Sequence, residues 1–117
     1  MKRDMELIRK VLLAVQDGSS NVSIEGYSDD DLKYHRALAI EKGLVKGSTL
    51  RDGTRSTEVP AAVTVTQLTW EGHDFIDAIS SESNWQKVKD FLKDAGKEIT
   101  LDTVKFAVGQ IFGFGSA

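Results

Sequence analysis

Apolar residues recur at spacings of three and four from the start of the chain: Met5, Ile8, Leu12 and Val15, with Leu7, Val11 and Ala14 widening the stripe. That period predicts an amphipathic first helix over residues 2–16, stopped by Asp17-Gly18. Ser19-Ser20-Asn21 reads as loop, and the alternation Val22-Ser23-Ile24-Glu25 predicts a short strand. Ser28 with Asp31 three residues on is a capping-box signature, and the run Asp29-Asp30-Asp31 suits the positive end of a helix dipole. The second helix should continue to Lys42 and stop at Gly43. Its apolar residues, Leu32, Tyr34, Ala37, Leu38, Ala39 and Ile40, do not form one stripe, which fits a helix packed on more than one side.

Beyond Gly43 the period changes. Residues 44–50 and 61–68 read as two strands; the second, Ala61-Ala62-Val63-Thr64-Val65-Thr66-Gln67-Leu68, is β-branched and alternating. The polar joint between them carries the Asp52-Gly53 turn signal and two arginines, with Gly47 and Gly53 read as turn glycines. Pro60, the single proline, fits the start of a strand. The pair predicts an antiparallel β-hairpin with a long basic tip. Thr69 can cap a third helix over residues 70–79, with Trp70 as a large amphipathic anchor and Gly72 marking close approach of another backbone. Ser83 with Gln86 predicts the start of a fourth helix through Trp85, Val88, Phe91 and Leu92, ending at Gly96. Thr100 can cap a fifth, with Leu101, Val104, Val108 and Ile111 on one side and Phe106 beside them. The expected fold is α+β and mainly α: a single domain over residues 1–117, with a core over 1–80, a helical extension over 81–112 and a flexible tail over 113–117.

Composition narrows the chemistry. The 117 residues can bury a modest core, and with no cysteine there is no disulfide framework or thiolate chemistry. Glu6, Arg9 and Lys10 interrupt the first apolar pattern, so no signal peptide is expected, and no apolar run approaches the roughly 20 residues that span a bilayer. The expectation is a soluble cytoplasmic protein that does not engage a membrane. The two histidines, His35 and His73, have no His-x-x-x-His or Glu-x-x-His spacing, and the three aspartates lack the glycine and distal glutamate of a calcium loop. His35 reads as a packing residue and His73 as one bonded locally. No Gly-x-Ser-x-Gly elbow or phosphate-binding loop occurs. No metal, no cofactor and no catalytic set is expected, and the chain is read as a non-enzymatic protein.

Two stretches carry a resemblance. Tyr34-His35-Arg36-Ala37-Leu38-Ala39-Ile40-Glu41-Lys42-Gly43-Leu44-Val45 looks like a recognition-type helix running into the first strand of a wing. Leu68-Thr69-Trp70-Glu71-Gly72-His73-Asp74-Phe75 looks like the segment that follows the wing in winged-helix regulators. The opening Met1-Lys2-Arg3-Asp4-Met5-Glu6-Leu7-Ile8-Arg9-Lys10, Gly26-Tyr27-Ser28, the Tyr34-His35 pair and above all the stretch from Leu68 to Phe75 are similar to the bacterial and phage family called domain of unknown function 2513. The match runs over residues 1–85. It implies a winged-helix-like domain and carries no particular activity over to this chain. Arg36 and Ala39 stand where the family pattern more often has leucine.

The net charge of −3 is unevenly spread. Between Leu32 and Thr57 stand Lys33, Arg36, Lys42, Lys46, Arg51 and Arg55 against Glu41 and Asp52 alone. Six cations on the second helix and the hairpin are a candidate footprint for duplex DNA, as expected of a nucleic-acid-associated regulator of phage or prophage type. The competing reading is an adaptor that keeps the winged-helix fold and binds a protein. It is favoured by residues 22–28 being too short for a separate positioning helix. Leu101, Val104, Val108, Ile111 and Phe112 make the last helix a candidate for homo-oligomerisation.

Overall fold

The helix starts are set by short polar side chains. In the computed structural model, which describes residues 1–51 and 58–113, α1 (Met5–Gln16) opens on Asp4. The Asp4 carboxylate accepts from the Glu6 and Leu7 amides at 2.9 and 3.4 Å, so the helix begins three residues later than its periodicity suggests. α2 (Asp29–Glu41) opens on the expected capping box: Ser28 Oγ accepts from the Asp31 amide at 3.1 Å, and the Asp31 carboxylate from the Ser28 amide at 3.2 Å. It closes through Gly43, whose φ of +73° is the left-handed turn that glycine enters without steric cost. β1 (Val45–Leu50) and β2 (Ala62–Leu68) form the antiparallel hairpin, followed by α3 (Trp70–Ile79), α4 (Glu82–Asp94) and α5 (Leu101–Phe112). The protein is thus α+β and mainly helical, with five helices and one hairpin among the described residues. None of these helices is long and apolar enough to cross a membrane.

The chain divides into two compact units, Met1–His73 and Asp74–Ala117. In the first, α2 lies against α1 and both strands. Leu7, Val11, Leu12, Leu32, Leu44 and Val65 are each at most 2% exposed, which makes them the centre of this unit's core.

The hairpin has an irregular register with a purpose. Val45 stands opposite Leu68 and Lys46 opposite Gln67, but Gly47 stands opposite Val65, which leaves Thr66 as an extra residue. In an unbroken strand, Val65 and Leu68 would face opposite sides; the bulge returns both to the core side. Thr66 Oγ1 donates to the Lys46 carbonyl at 3.0 Å and holds the extra residue in place. Gly47 belongs to this register and not to a turn. A Cβ there would lie 2.2 Å from the Thr64 carbonyl oxygen and 3.0 Å from Ile40 Cδ1.

Residues 22–25 do not form the expected strand. Four alternating residues need a free sheet edge, and the edge at Val65 is already taken. The Asn21 side chain accepts from the Val65 amide at 3.0 Å and donates to its carbonyl at 3.1 Å, imitating one rung of a third strand. The Val22 carbonyl accepts from Arg36 Nη2 at 2.7 Å. Ile24 and Tyr27 then pack on the cluster of Leu7, Val11 and Leu32.

In the second unit α4 and α5 pack together. Trp85, Val88 and Leu92 of α4 and Val104, Ala107 and Val108 of α5 are buried. The cap of α4 is Ser81, not Ser83: its hydroxyl accepts from the Asn84 amide at 3.0 Å. Asn84 also donates to the Ala78 carbonyl at 3.3 Å, tying the α3–α4 turn and selecting the earlier serine. Gln86 is spent on Asp90, one helical turn on, at 2.9 Å. The α5 cap is Thr100, as expected, with Thr103 as its reciprocal partner.

Candidate nucleic-acid interface

The six candidate cations are not equivalent. Lys33 Nζ lies 3.1 Å from the Asp29 carboxylate one turn earlier, and its side chain is 22% exposed. Arg36 is only 6% exposed, on the inner side of α2. Desolvation lowers its pKa from the ordinary guanidinium value, with Asp29 acting in the opposite direction. An arginine nevertheless stays charged, and Arg36 places one end of the fork on the Val22 carbonyl while its Nε is buried without a hydrogen-bond partner. The guanidinium therefore braces the α1–α2 loop. It is not exposed as Lys42, Lys46 and Arg51 are.

Lys42, Lys46 and Arg51 are exposed. Lys42 is the C-cap of α2, Lys46 is on the solvent side of β1, and Arg51 directly follows that strand. Arg55 lies outside the described residues. Among the described residues, the exposed members of the six thus belong to the hairpin and its entry, not to the body of α2. Around them the chain is acid-free: no Asp or Glu occurs from Lys42 to Arg51 or from Val59 to Trp70, whereas the whole chain carries 18 in 117 residues.

A clamp fixes the hairpin to the helix ends that flank it. The Thr69 amide donates to the Leu44 carbonyl at 3.0 Å, and Thr69 Oγ1 donates to the Gly43 carbonyl at 2.5 Å. The same hydroxyl accepts from the Gly72 amide at 3.0 Å, capping α3. Gly72 is needed for this approach, because a Cβ there would fall 1.9 Å from the Leu44 carbonyl oxygen. The Gly43-Leu44-Val45 and Leu68-Thr69-x-x-Gly72 stretches are therefore two halves of one joint.

Trp70 is not the anchor its position suggests; it is 84% exposed. Helical geometry accounts for this, because Gly72, Phe75, Ile76 and Ile79 form the buried stripe of α3 and Trp70 lies about 180° from its centre. The same arithmetic, applied to the sequence, marks Trp70 as an outward residue. Lys42 and Trp70 are the immediate neighbours of the Gly43–Thr69 hydrogen bond, and Lys46 is paired with Gln67, three residues before Trp70.

His35 is buried and satisfied at both ring nitrogens. Nε2 accepts from the Asp4 amide at 2.8 Å, and Nδ1 is 2.8 Å from the Asp31 carbonyl, to which it donates. His73 is exposed, and no group of three His, Asp or Glu among the described residues could hold a metal ion. On α5, Val104 and Val108 are buried, Leu101 and Ile111 are half-buried, and Phe112 is exposed. Among the described residues, the large exposed apolar side chains of this region are Ile99, Phe106 and Phe112.

Fold and site together define a small α+β protein whose clamped hairpin strands carry no Asp or Glu, are flanked by the exposed Glu41, Glu58 and Glu71, and have an exposed tryptophan at their base. The chain belongs to the family described as hypothetical protein DUF2513, whose model matches residues 2–98. It is similar to an uncharacterized protein of Haemophilus influenzae, with 27% identity over 111 residues covering 90% of each chain. No solved structure matches it.

Proposed function

We propose that this chain is a non-enzymatic binding domain that contacts nucleic acid through its winged-helix-like hairpin, with α2 as a buried support. The observation that carries this reading is that Lys42, Lys46 and Arg51 are exposed on or beside hairpin strands whose stretches, 42–51 and 59–70, contain no Asp or Glu in a chain of net charge −3. Phosphate contacts come from exposed Lys and Arg, and nearby carboxylates would oppose them. The reading moves the interface away from Lys33 and Arg36, which are less exposed than Lys42, Lys46 and Arg51.

Fluorescence anisotropy with a labelled oligonucleotide at low salt tests it. Combined Lys46→Ala and Arg51→Ala should weaken binding and reduce the slope of log K against log salt by about 0.7–0.9 for each phosphate released from a cation. Lys33→Ala should leave both unchanged. Absence of binding to single or double strands, or a Lys33→Ala effect equal to that of the hairpin pair, would reject the proposal.

The second reading is a protein adaptor, favoured by the inward use of Arg36 and by Asp29 and Asp30 on the exposed start of α2. It predicts a protein partner whose binding survives the hairpin substitutions.

A further inference from the structure

We infer that Trp70, beside Lys42 and Lys46, is a stacking platform for an unpaired base, so that the hairpin base takes single-stranded nucleic acid. The inference rests on the nucleic-acid reading above and narrows its ligand.

Three observations support it. First, an 84% exposed indole is a large apolar surface left in water, next to a helix stripe that is fully packed without it. Second, its position is held rigidly: the residue before it makes two hydrogen bonds to the α2–β1 junction, and the residue two beyond it abuts the Leu44 carbonyl. A fixed backbone leaves only the two side-chain torsions of the indole to be ordered when a base stacks on it. Third, the exposed side chains near it in chain order and register include cations and neutral hydrogen-bonding groups, together with the carboxylates Glu41 and Glu71. Lys42 and Lys46 can meet phosphates, and the solvent side of the hairpin, with Ser48, Thr64 and Gln67, supplies neutral hydrogen-bonding groups. Base–aromatic stacking combined with backbone cations is the general mode of single-strand binding. A duplex keeps its bases stacked inside and offers Trp70 no free ring face. Protein interfaces also favour tryptophan but are depleted in lysine, so the paired lysines point away from a protein partner.

Intrinsic fluorescence reads the site directly. The chain has two tryptophans, and Trp85 is 1% exposed, so solvent-exposed emission belongs to Trp70. The full-length protein is titrated at low salt with a dT oligonucleotide of about 12 nucleotides, with a duplex of the same length, and with poly-glutamate. The expected result is quenching of the exposed emission by oligo-dT, with much weaker effects from the other two. In a parallel anisotropy titration, Trp70→Ala should weaken oligo-dT binding about tenfold or more, and Trp70→Phe should restore most of it. Tighter duplex binding that is indifferent to Trp70→Ala would overturn the stacking platform and leave the hairpin reading standing. No binding to any nucleic acid would overturn both, and quenching by poly-glutamate equal to that by oligo-dT would replace the strand with an acidic protein partner. Unchanged Trp85 emission and unfolding midpoint in Trp70→Ala would show that any weakening of binding is not a failure to fold.

Discussion

Gly72→Ala is expected to be the most damaging single-methyl change in the first unit, lowering stability by about 3 kcal/mol or more in denaturant unfolding. Two effects compete at this position. Alanine is the better helix former by about 1 kcal/mol, so α3 taken alone would gain from the change. The added carbon, however, would fall 1.9 Å from the Leu44 carbonyl oxygen and 2.9 Å from its carbonyl carbon. Those are backbone atoms and cannot rotate away as a side chain would. Relief requires the start of α3 to lift from the α2–β1 junction, which breaks the Thr69–Leu44 and Thr69–Gly43 hydrogen bonds as well. Glu71→Ala, one residue earlier and exposed, should shift the unfolding midpoint little. A Gly72→Ala protein as stable as its parent would show that the junction is looser than the structure has it.

That joint also shows what can be read from the chain alone. Ser28, Thr69 and Thr100 are legible as caps because capping is a contract between residues two or three apart. Gly72 is legible as a close approach, since glycine in a first helical turn needs a reason, but the atom it approaches, the Leu44 carbonyl, is 28 residues away in sequence and carries no local signal. The same limit governs the hairpin. Its two strands follow from alternation, but the Thr66 bulge depends on both Val65 and Leu68 reaching one core, a tertiary demand. Residues 22–25 mislead because alternation describes a strand's faces and says nothing of a vacant edge, and Asn21 already fills the one at Val65.

The candidate site is legible in outline and misplaced in detail. A count of cations puts six residues together, yet charge along the chain does not reveal which side chains are spent internally. Arg36 goes to the Val22 carbonyl and Lys33 to Asp29. Ser81 and Ser83 are an analogous case: both have a polar residue three positions on, and only the hydrogen bond from Asn84 to Ala78 selects the earlier cap. The exposure of Trp70 is within reach of the sequence, because the angle between it and the Phe75–Ile76–Ile79 stripe follows from the helical period.

Trp85→Ala is the second large effect expected, at about 3–5 kcal/mol, the usual range for emptying a buried aromatic site. Trp85 is 1% exposed, and the neighbouring core residues Val88, Leu92 and Val104 are fully buried, so no flexible chain end is on hand to refill the space. The Lys89 ammonium, 5.6 Å from the ring centroid, adds about 0.5–1 kcal/mol, too little to set the outcome. Circular dichroism on heating should show early loss of helix in this variant. Retention of the parent unfolding midpoint would mean that the α4–α5 unit does not depend on its largest side chain.

The central claim is that the hairpin, and not α2, meets nucleic acid. Amide chemical-shift mapping during a low-salt titration with an oligonucleotide tests it residue by residue. The expected result is perturbation over Val45–Leu50 and from Ala62 to Trp70, with the amides of Leu32 to Ile40 nearly unmoved. Shifts centred on Lys33 and Arg36 with a silent hairpin would contradict it, as would a titration that moves no amide at all.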